Sequence, residues 1–431
     1  MKTEKEQRKI AILGLGYAGL HTALAFQRVK SIIGFDCDES RIDELKQRID
    51  RHGEFSKEEF GDRELQLTCD PQDIADRNFY IVIVPTPITE GNFPDFSYLV
   101  DVSILIGGML KPGDIVVYES TVYPGATNEI CLPILEMESD LVLGKDFAIG
   151  YSPERINPGD KIHTFLNTVK IVAASDAAAL KIIAAEYASI VEKGVFLASS
   201  IEVAEAAKII ENIQRDTNIA LMNELAQFFK KINIDTTEVI RAASTKWNFI
   251  PFHPGFVGGH CISVDPYYIL YKASLIHYSP YLIQASRKTN EQLSHFIADE
   301  TIKLLVKRKL IKTPTKIAIF GITYKEDYDD VRNNKVVDLS KHLEAYGIEV
   351  IFYDPVASEE SAFHEFGIEL SAWGNIPTVS AIIIAVGHKK FKALSCDDYQ
   401  KKLDPKGFIM DVKSVLNVDE FKSSDLTVWR L

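Results

Sequence analysis

Short apolar runs alternate with longer stretches of helical periodicity along the first 199 residues. The runs occupy residues 9–13, 32–35, 80–84, 115–119, 147–151, 168–173 and 195–197. Short, continuous apolar runs between amphipathic segments are typical of strands that a parallel sheet buries on both faces. The pattern therefore predicts an α/β domain over residues 1–199.

A single long helix is predicted over residues 200–231. Apolar residues recur there at the spacing of one helical face: Ala206, Ile209, Ile210, Ile213, Ala220, Leu221, Leu225 and Phe228. Lys208 and Asn212 lie one turn apart on the other side, where an ammonium and an amide could converge. A solvated face with a Glu205–Lys208 ion pair is the alternative. Further helical segments, including one from 281 to about 310, predict an all-helical central domain over 200–311.

A second α/β unit is predicted over residues 312–431, because apolar runs at 316–320, 350–353 and 381–386 repeat the layout of the first domain. The predicted fold class is therefore α/β, with two Rossmann-like doubly wound parallel-sheet domains joined by a central all-helical domain that contains a long connecting helix. In the turn after the first of these runs, we expect Lys325 and Arg332 to meet the negative charge of a nucleotide or phosphate.

The first run leads into a glycine fingerprint. Gly14, Gly16 and Gly19 open an apolar helix, and the next run ends at Asp36, twenty residues after Gly16. This spacing is typical of dinucleotide sites, where the glycines permit a tight turn, approach of the pyrophosphate and close packing of helix on strand. A carboxylate at Asp36 would accept from ribose hydroxyls and repel a 2′-phosphate, so NAD is favoured over NADP.

Polar turns follow the later strands of the same domain. Pro85, Thr86 and Thr121 come directly after two of them, and Glu154 and Arg155 follow a third. Ligands of open α/β sheets lie beyond the carboxyl ends of the strands, so we expect Thr86 and Thr121 beside a nicotinamide. Glu154 and Arg155 place an acid and a base at the same edge, although a charged surface loop is the alternative.

The loop over residues 248–268 concentrates reactive groups. Three prolines and three glycines there forbid a long helix, and Cys261 follows the pair Gly258-Gly259, with His260 beside it and Asp265 four residues later. The missing Cβ atoms of the glycines would let a substrate approach the backbone. Taken alone, a cysteine is more often a small buried apolar residue.

Composition narrows the classes of partner. The chain has 431 residues, 46% of them hydrophobic, and a formal net charge of −13, which argues against nucleic-acid or membrane-surface binding because both need basic patches. Five scattered cysteines without a close pair predict neither disulfides nor a metal site and suit a reducing cytoplasm. No secretory leader and no membrane-spanning run of about 18 residues are expected.

A thiol in a chain that binds a dinucleotide predicts covalent chemistry. Cys261 could add to an aldehyde, and hydride loss from the thiohemiacetal would give a thioester that water cleaves. Lys208 and Asn212 would then stabilise the oxyanions, with Asp265 handling a proton or water. A two-electron β-hydroxyacid dehydrogenase, which lacks the cysteine, and a non-catalytic NAD-binding protein are the alternatives.

These motifs, taken together and in this order, resemble the UDP-glucose/GDP-mannose dehydrogenase family. The resemblance extends over nearly the whole chain through the glycine fingerprint, Glu119–Gly125, Ser152–Arg155, Lys208 with Asn212, Gly258–Pro266 and Lys325–Arg332. It implies an NAD domain (1–199), a central dimerisation domain (200–311) that carries the cysteine loop, and a UDP domain (312–431). It also implies a cytoplasmic homodimer that oxidises a UDP-sugar at C6 by four electrons.

The resemblance assigns roles to individual residues. Cys261 would be the nucleophile, Lys208 and Asn212 the oxyanion binders, Asp265 a water or proton partner, and Glu154, aided by Thr121, the base for thioester hydrolysis. The implied NAD contacts are Gly14, Gly16, Tyr17, Ala18, Gly19, Asp36, Arg41, Pro85, Thr86, Thr121 and Arg332. The implied UDP-sugar contacts are Glu154, Arg155, Ile156, Lys208, Asn212, Arg215, Phe249, Gly258, Tyr324 and Lys325.

The variant of the cysteine loop is similar to the branch that acts on UDP-N-acetylhexosamines, such as UDP-GlcNAc or UDP-GalNAc, in the synthesis of surface polysaccharides. UDP-glucose is the alternative substrate. One departure from the family pattern is Asn334, where a serine is expected after Arg-Asn. The configuration of the sugar stays open, because an axial or equatorial hydroxyl is read by a single hydrogen bond.

Overall fold

The computed structural model describes residues 8–61, 63, 65–160, 162–259, 261–421 and 426–431. The chain divides into two compact units. Residues Met1–Glu211 and Tyr267–Tyr278 form one, here the N-terminal unit, and Asn212–Pro266 and Ser279–Leu431 form the other, the C-terminal unit. The boundaries of the three predicted domains stay a prediction.

The N-terminal unit is built on an eight-stranded sheet. Its strands are β1 (Ile10–Leu13), β2 (Ile32–Phe35), β3 (Gln66–Thr68), β4 (Phe79–Val82), β5 (Ile115–Tyr118), β6 (Ala148–Tyr151), β7 (Lys170–Ala174) and β8 (Val195–Leu197). They lie in the order β3-β2-β1-β4-β5-β6-β7-β8. All neighbours are parallel except β6 and β7. Five neighbouring strands of this sheet, β2, β1, β4, β5 and β6, are buried, as their continuous apolar runs predict.

Fifteen α-helices occur in the described part of the chain. They are α1 (Tyr17–Gln27), α2 (Glu39–Lys46), α3 (Ser97–Gly107), α4 (Leu132–Ser139), α5 (Ala177–Ala188), α6 (Ile201–Lys231), α7 (Thr236–Ala243), α8 (Asp265–Leu275), α9 (Tyr281–Glu291), α10 (Leu293–Arg308), α11 (Lys335–Glu344), α12 (Glu359–Phe366), α13 (Lys389–Lys392), α14 (Cys396–Gln400) and α15 (Val418–Phe421). The long connecting helix is therefore confirmed as α6, whereas the predicted helix 281–310 is two helices, α9 and α10.

Helix α6 buries polar side chains where a simple amphipathic helix would bury apolar ones. In the N-terminal unit, Glu205 and Lys208 are buried, while Ile210 is 64% exposed. In the C-terminal unit, Leu221 and Phe228 are 51% and 54% exposed. Three apolar residues of the predicted face, Ile210, Leu221 and Phe228, are therefore exposed in the single chain.

The C-terminal unit contains a five-stranded parallel sheet. Its strands are β9 (Thr315–Phe320), β10 (Ile348–Tyr353), β11 (Val379–Ile384), β12 (Leu403–Asp411) and β13 (Thr427–Arg430), in the order β10-β9-β11-β12-β13. Residues of α6, α10 and α11 pack with one face of this sheet in a single apolar core. With the first sheet and the helical central region, it confirms the predicted α/β fold class.

None of the helices in the described part of the chain is long and apolar enough to cross a membrane. Among the same residues, no cluster of three or more His, Cys, Asp or Glu side chains is arranged to hold a metal ion.

Candidate active site

The glycine turn between β1 and α1 has the geometry of a phosphate site. Gly14 has φ +93°, and a Cβ there would lie 2.3 Å from a main-chain oxygen beyond β4. A Cβ on Gly19 would lie 1.8 Å from the Gly14 carbonyl oxygen. A Cβ on Gly16, in contrast, would have none of the surrounding atoms within 4 Å. Helix α1 has no side-chain cap, and half-buried Tyr17 and Ala18 form its first turn. The turn therefore offers open space at an uncapped helix N-terminus, which suits a pyrophosphate.

Asp36 and Arg41 brace this turn. Asp36 Oδ2 accepts from the Leu15 N–H at 2.7 Å, and its other oxygen accepts from the Asp38 N–H at 3.0 Å. Arg41 is 2% exposed, donates to the Leu15 carbonyl at 2.9 Å and pairs with Asp50 at 2.9 Å. A carboxylate offers about four lone-pair sites, so Asp36 keeps acceptor capacity for ribose hydroxyls, whereas Arg41 is placed to hold the backbone of the turn.

Hydrogen bonds tie together the ends of β4 and β5. The Thr86 hydroxyl donates to the Thr121 carbonyl at 2.7 Å, and the Val84 N–H donates to the Ser120 hydroxyl at 2.9 Å. The Tyr268 hydroxyl, from helix α8, donates to the Thr86 carbonyl. Thr86 and Thr121, predicted separately from the sequence, are therefore adjacent.

Glu205 anchors the turn that follows Thr121. Its carboxylate accepts from the Gly125 N–H at 2.5 Å, from the Thr127 N–H at 3.0 Å and from the Thr127 hydroxyl at 2.6 Å. Burial raises the pKa of this carboxyl to about 7. The alternative of a solvated Glu205–Lys208 pair is therefore wrong, because Glu205 is buried and faces the Thr121 turn.

Glu154 lies within ion-pair distance of Lys208 in the N-terminal unit. The Lys208 ammonium is 3.7 Å from Glu154 Oε2, and the two side chains are 7% and 14% exposed. Glu154 also accepts from the Ile156 N–H, and Arg155 pairs with Glu211 at 2.5 Å. The alternative of an ordinary surface loop is wrong for Glu154, which is held at a partly enclosed site beside a buried lysine.

In the C-terminal unit, a buried asparagine fixes the loop before Cys261. The Asn223 amide, 0% exposed, donates to the Gly255 carbonyl at 3.1 Å and accepts from the Gly255 N–H at 2.8 Å. It also donates to Asn290 at 2.8 Å. The sequence analysis missed Asn223, because nothing local distinguishes an asparagine that binds a loop 32 residues away.

A second asparagine fixes the glycine pair. Asn333 donates to the Gly259 carbonyl at 2.8 Å and accepts from its N–H at 3.1 Å. A Cβ on Gly258 would lie 2.7 Å from the Asn333 carbonyl oxygen, and one on Gly259 would lie 2.8 Å from the Tyr324 ring. The two glycines therefore permit close packing of the turn that contains Tyr324. This is a second reason for glycine here, besides the predicted approach of substrate to the backbone. His260 lies outside the described residues.

Asn212 of helix α6 and Asp265, four residues after Cys261, are hydrogen bonded to each other. The Asn212 amide donates to Asp265 Oδ2 at 2.6 Å, and the two residues are 7% and 2% exposed. The Cys261 carbonyl accepts from the Asp265 N–H at 2.9 Å, and the thiol-bearing residue is half-buried. The pair orients an amide donor and a carboxylate at the start of α8.

A cavity of about 370 Å³ lies in the C-terminal unit. Its lining includes Tyr324, Lys325 and Gly258, all predicted substrate contacts, together with Lys335 and Lys413. Burial lowers the pKa of the Lys413 ammonium. Three lysines line the cavity against two acidic residues, Glu326 and Asp327, and this excess of positive charge suits an anionic ligand such as a diphosphate. The sequence analysis missed Lys413 because it follows β12, a strand that was not predicted.

The remaining predicted contacts lie at or near the surface. Arg215 and Pro85 are exposed and Phe249 is half-buried. Arg332 is exposed and pairs with Asp330 at 2.7 Å. Asn334 caps α11 by accepting from the Val336 N–H, a role for which serine and asparagine are almost equivalent, so this departure from the family pattern is structurally conservative.

Three family models match the chain. They are described as the NAD binding domain, the central domain and the UDP binding domain of the UDP-glucose/GDP-mannose dehydrogenase family, and they match residues 8–191, 202–292 and 318–418. The glycine turn falls within the first of these segments and the cysteine loop within the second. The three lysines that line the cavity fall within the third.

Individual proteins match over almost their whole length. Protein CapL of Staphylococcus aureus is 46% identical over 98% of this chain and 100% of its own. UDP-N-acetyl-D-glucosamine 6-dehydrogenase of Pseudomonas aeruginosa is 45% identical over 96% of this chain and 98% of its own. The solved structure of a UDP-D-ManNAc dehydrogenase from Pyrococcus horikoshii superposes with a TM-score of 0.88 at 28% identity, covering 98% of both chains.

Proposed function

The chain belongs to the UDP-glucose/GDP-mannose dehydrogenase family, and from this membership we propose that it oxidises the C6 hydroxyl of a UDP-N-acetylhexosamine to a carboxylate with NAD. The observation that carries the substrate class is the near full-length similarity to an enzyme named for UDP-N-acetyl-D-glucosamine. The product is a UDP-N-acetylhexosaminuronate. Oxidation of an alcohol to a carboxylate removes four electrons, so each sugar consumes two NAD.

The N-terminal unit holds NAD in this proposal. Open space at Gly16 and the uncapped start of α1 support a pyrophosphate site, and Asp36 keeps acceptor capacity for the ribose diol. Thr86 and Thr121, at the adjoining strand ends, are the proposed nicotinamide contacts. When bound, NAD accepts a hydride in each oxidation.

The lysine-lined cavity of the C-terminal unit holds UDP in this proposal. Lys325 and Lys413 supply positive charge to the diphosphate, and Tyr324 supplies an aromatic face. The lowered pKa of the Lys413 ammonium supports this assignment, because an anionic ligand would offset the cost of burying its charge.

Cys261 carries the covalent chemistry after the first oxidation has given an aldehyde. The Cys261 thiol gives its proton to the Asp265 carboxylate as its sulfur bonds to C6. The former carbonyl oxygen takes up negative charge, which Lys208 and Asn212 stabilise as donors. Loss of a hydride from C6 then gives a thioester. Asp265 supports this step by holding the Asn212 amide, to which it is hydrogen bonded at 2.6 Å.

Hydrolysis releases the product. The oxygen of water bonds to the acyl carbon, Glu154 takes a proton from the water, and the C6–S bond breaks with its electrons left on the Cys261 sulfur. The 3.7 Å contact with Lys208 supports this role, because it places the Glu154 carboxylate beside a proposed oxyanion binder.

A substrate panel tests the proposed substrate class. We expect UDP-GlcNAc or UDP-GalNAc to give the largest kcat/KM, read from NADH absorbance, with UDP-glucose at least about tenfold lower, since a site built to bind an N-acetyl group loses one or more hydrogen bonds when the sugar lacks that group. UDP-ManNAc, which has the N-acetyl group in the other configuration at C2, completes the panel. Turnover of UDP-glucose alone would contradict the assignment.

We also propose that the protein is a cytoplasmic homodimer formed through its central helices. Five free cysteines support a reducing compartment. Large apolar side chains are exposed on these helices and their connections in the C-terminal unit, and they are Leu221, Phe228, Trp247, Ile250, Tyr281 and Leu282. Exposed large apolar side chains favour an interaction surface on these helices, and a second copy of the chain is the proposed partner.

Replacing Leu221 by glutamate is expected to dissociate this dimer, because it places a charge in an apolar interface. Light scattering after size exclusion should give twice the chain mass of 48.3 kDa for the wild type and the single mass for the variant. Phe363→Glu, at another exposed apolar position, 60% exposed on helix α12, is the control and should stay dimeric. A monomeric wild type would contradict the proposal.

A further inference from the structure

A buried ion pair joins the two strand ends that carry Thr121 and Glu154. Glu119, two residues before Thr121, is 1% exposed, and Lys170, at the start of β7, is 4% exposed. The Lys170 ammonium donates to Glu119 at 2.6 Å. It also donates at 3.1 Å to the carbonyl of Pro153, the residue immediately before Glu154. One lysine therefore links the end of β5 to the backbone that carries the proposed base.

The surroundings leave this pair almost no contact with solvent. The Tyr187 hydroxyl donates to the other oxygen of Glu119, and the Lys170 ammonium lies 5.3 Å and 5.2 Å from the ring centres of Phe165 and Tyr187. A buried ion pair contributes little net stability, because the cost of removing two charges from water offsets their attraction. An apolar pair of similar size could fill the same space, but it could not donate a hydrogen bond to the Pro153 carbonyl. That fixed donor is what the ion pair adds.

We propose that Glu119 and Lys170 are positioning residues for Glu154, and that their pairing sets the rate of thioester hydrolysis. The inference rests on the proposed function, in which Glu154 takes a proton from water while the bond between C6 and the Cys261 sulfur breaks. Glu154 takes no part in hydride transfer. Loss of the pair should therefore slow hydrolysis and leave hydride transfer nearly unchanged.

The test removes both charges at once. In Glu119→Gln/Lys170→Met no unpaired charge is left buried, so the variant is expected to fold. The matched control is Glu186→Gln/Lys30→Met, which removes another partly buried ion pair of the same unit, with side chains 14% and 19% exposed. Glu186 lies on helix α5 and Lys30 lies just before β2. Neither residue contacts the Pro153 carbonyl.

Both rates come from one rapid-mixing experiment. Each protein is mixed with saturating NAD and the UDP-N-acetylhexosamine that it turns over best. NADH absorbance gives the rate of hydride transfer, and intact mass after acid quenching gives the amount and decay of the acyl group on Cys261. We expect the ratio of hydrolysis to hydride transfer to fall by about 10- to 100-fold in the variant, as misplacement of a catalytic group by about 1 Å can cost 100-fold, and to be unchanged in the control.

An unchanged ratio in the folded variant, or an equal fall in the control, would overturn the inference. If the double variant fails to fold, Glu119→Asp, which keeps the charge and shortens the side chain by one methylene, gives the same comparison and should lower the ratio in the same direction. Absence of an acyl group on Cys261 in the wild type would overturn the proposed function itself. If the acyl group forms and the ratio of hydrolysis to hydride transfer is normal in both the double variant and Glu119→Asp, only the role of Glu119 and Lys170 is overturned.

Discussion

Replacing Cys261 by alanine is expected to lower the turnover of the UDP-sugar by about four orders of magnitude, the scale on which loss of a catalytic nucleophile acts. Without the sulfur, neither the thiohemiacetal nor the thioester can form, so the second oxidation has no covalent route. Binding of NAD and of the UDP-sugar should change by less than about threefold, because the lysine-lined cavity and the glycine turn are untouched. Steady-state kinetics and calorimetric titration measure the two effects.

The matched control is Cys396→Ala, since Cys396 is also half-buried but lies on helix α14, outside every proposed site. It should keep wild-type turnover. Wild-type turnover in Cys261→Ala itself would contradict covalent catalysis and favour a two-electron dehydrogenase, which needs no cysteine. Loss of turnover together with loss of substrate binding would point to a role in folding of the loop.

Replacing Lys208 by methionine is expected to lower kcat by about 10²- to 10³-fold, the usual effect of removing one oxyanion donor. Methionine keeps the length and apolar stem of the lysine, which is 5% exposed, but removes the ammonium 3.7 Å from Glu154. Because the lost interaction is made mainly in the transition state, KM should change much less than kcat.

Lys30→Met is the control for this experiment. Lys30 is a partly buried lysine paired with a glutamate in the same unit, so its loss removes the same type of contact without touching Glu154. A kcat within about threefold of the wild type in Lys208→Met would exclude Lys208 from the chemistry. A raised KM with normal kcat would assign it to substrate binding alone.

The fold was largely predictable where strands are buried on both faces. β1, β2, β4 and β5 are continuous apolar runs, and their signal survives without knowledge of the neighbours. The strands that were missed are β3, β12 and β13, where exposed or polar residues interrupt the run. β12 begins with Leu-Asp-Pro-Lys-Gly and is exposed at two of these positions. The sequence pattern therefore does not show where the strand begins.

The site was predictable where residues that act together are close in sequence. The glycine fingerprint and the cysteine loop are local patterns, and the resemblance assigned roles to their residues that stay predictions. The supporting residues could not be predicted, because their partners are distant: Asn333 binds a residue 74 positions away, and Lys170 binds one 51 positions away. Nothing in the local sequence distinguishes such a lysine or asparagine from one on the surface.

The number of NADH molecules formed for each UDP-N-acetylhexosamine consumed tests the central claim most directly. With limiting sugar nucleotide and excess NAD, the absorbance change at completion should correspond to two NADH per sugar, and the product should be a carboxylate by mass. One NADH per sugar, with an aldehyde as product, would contradict four-electron oxidation through Cys261.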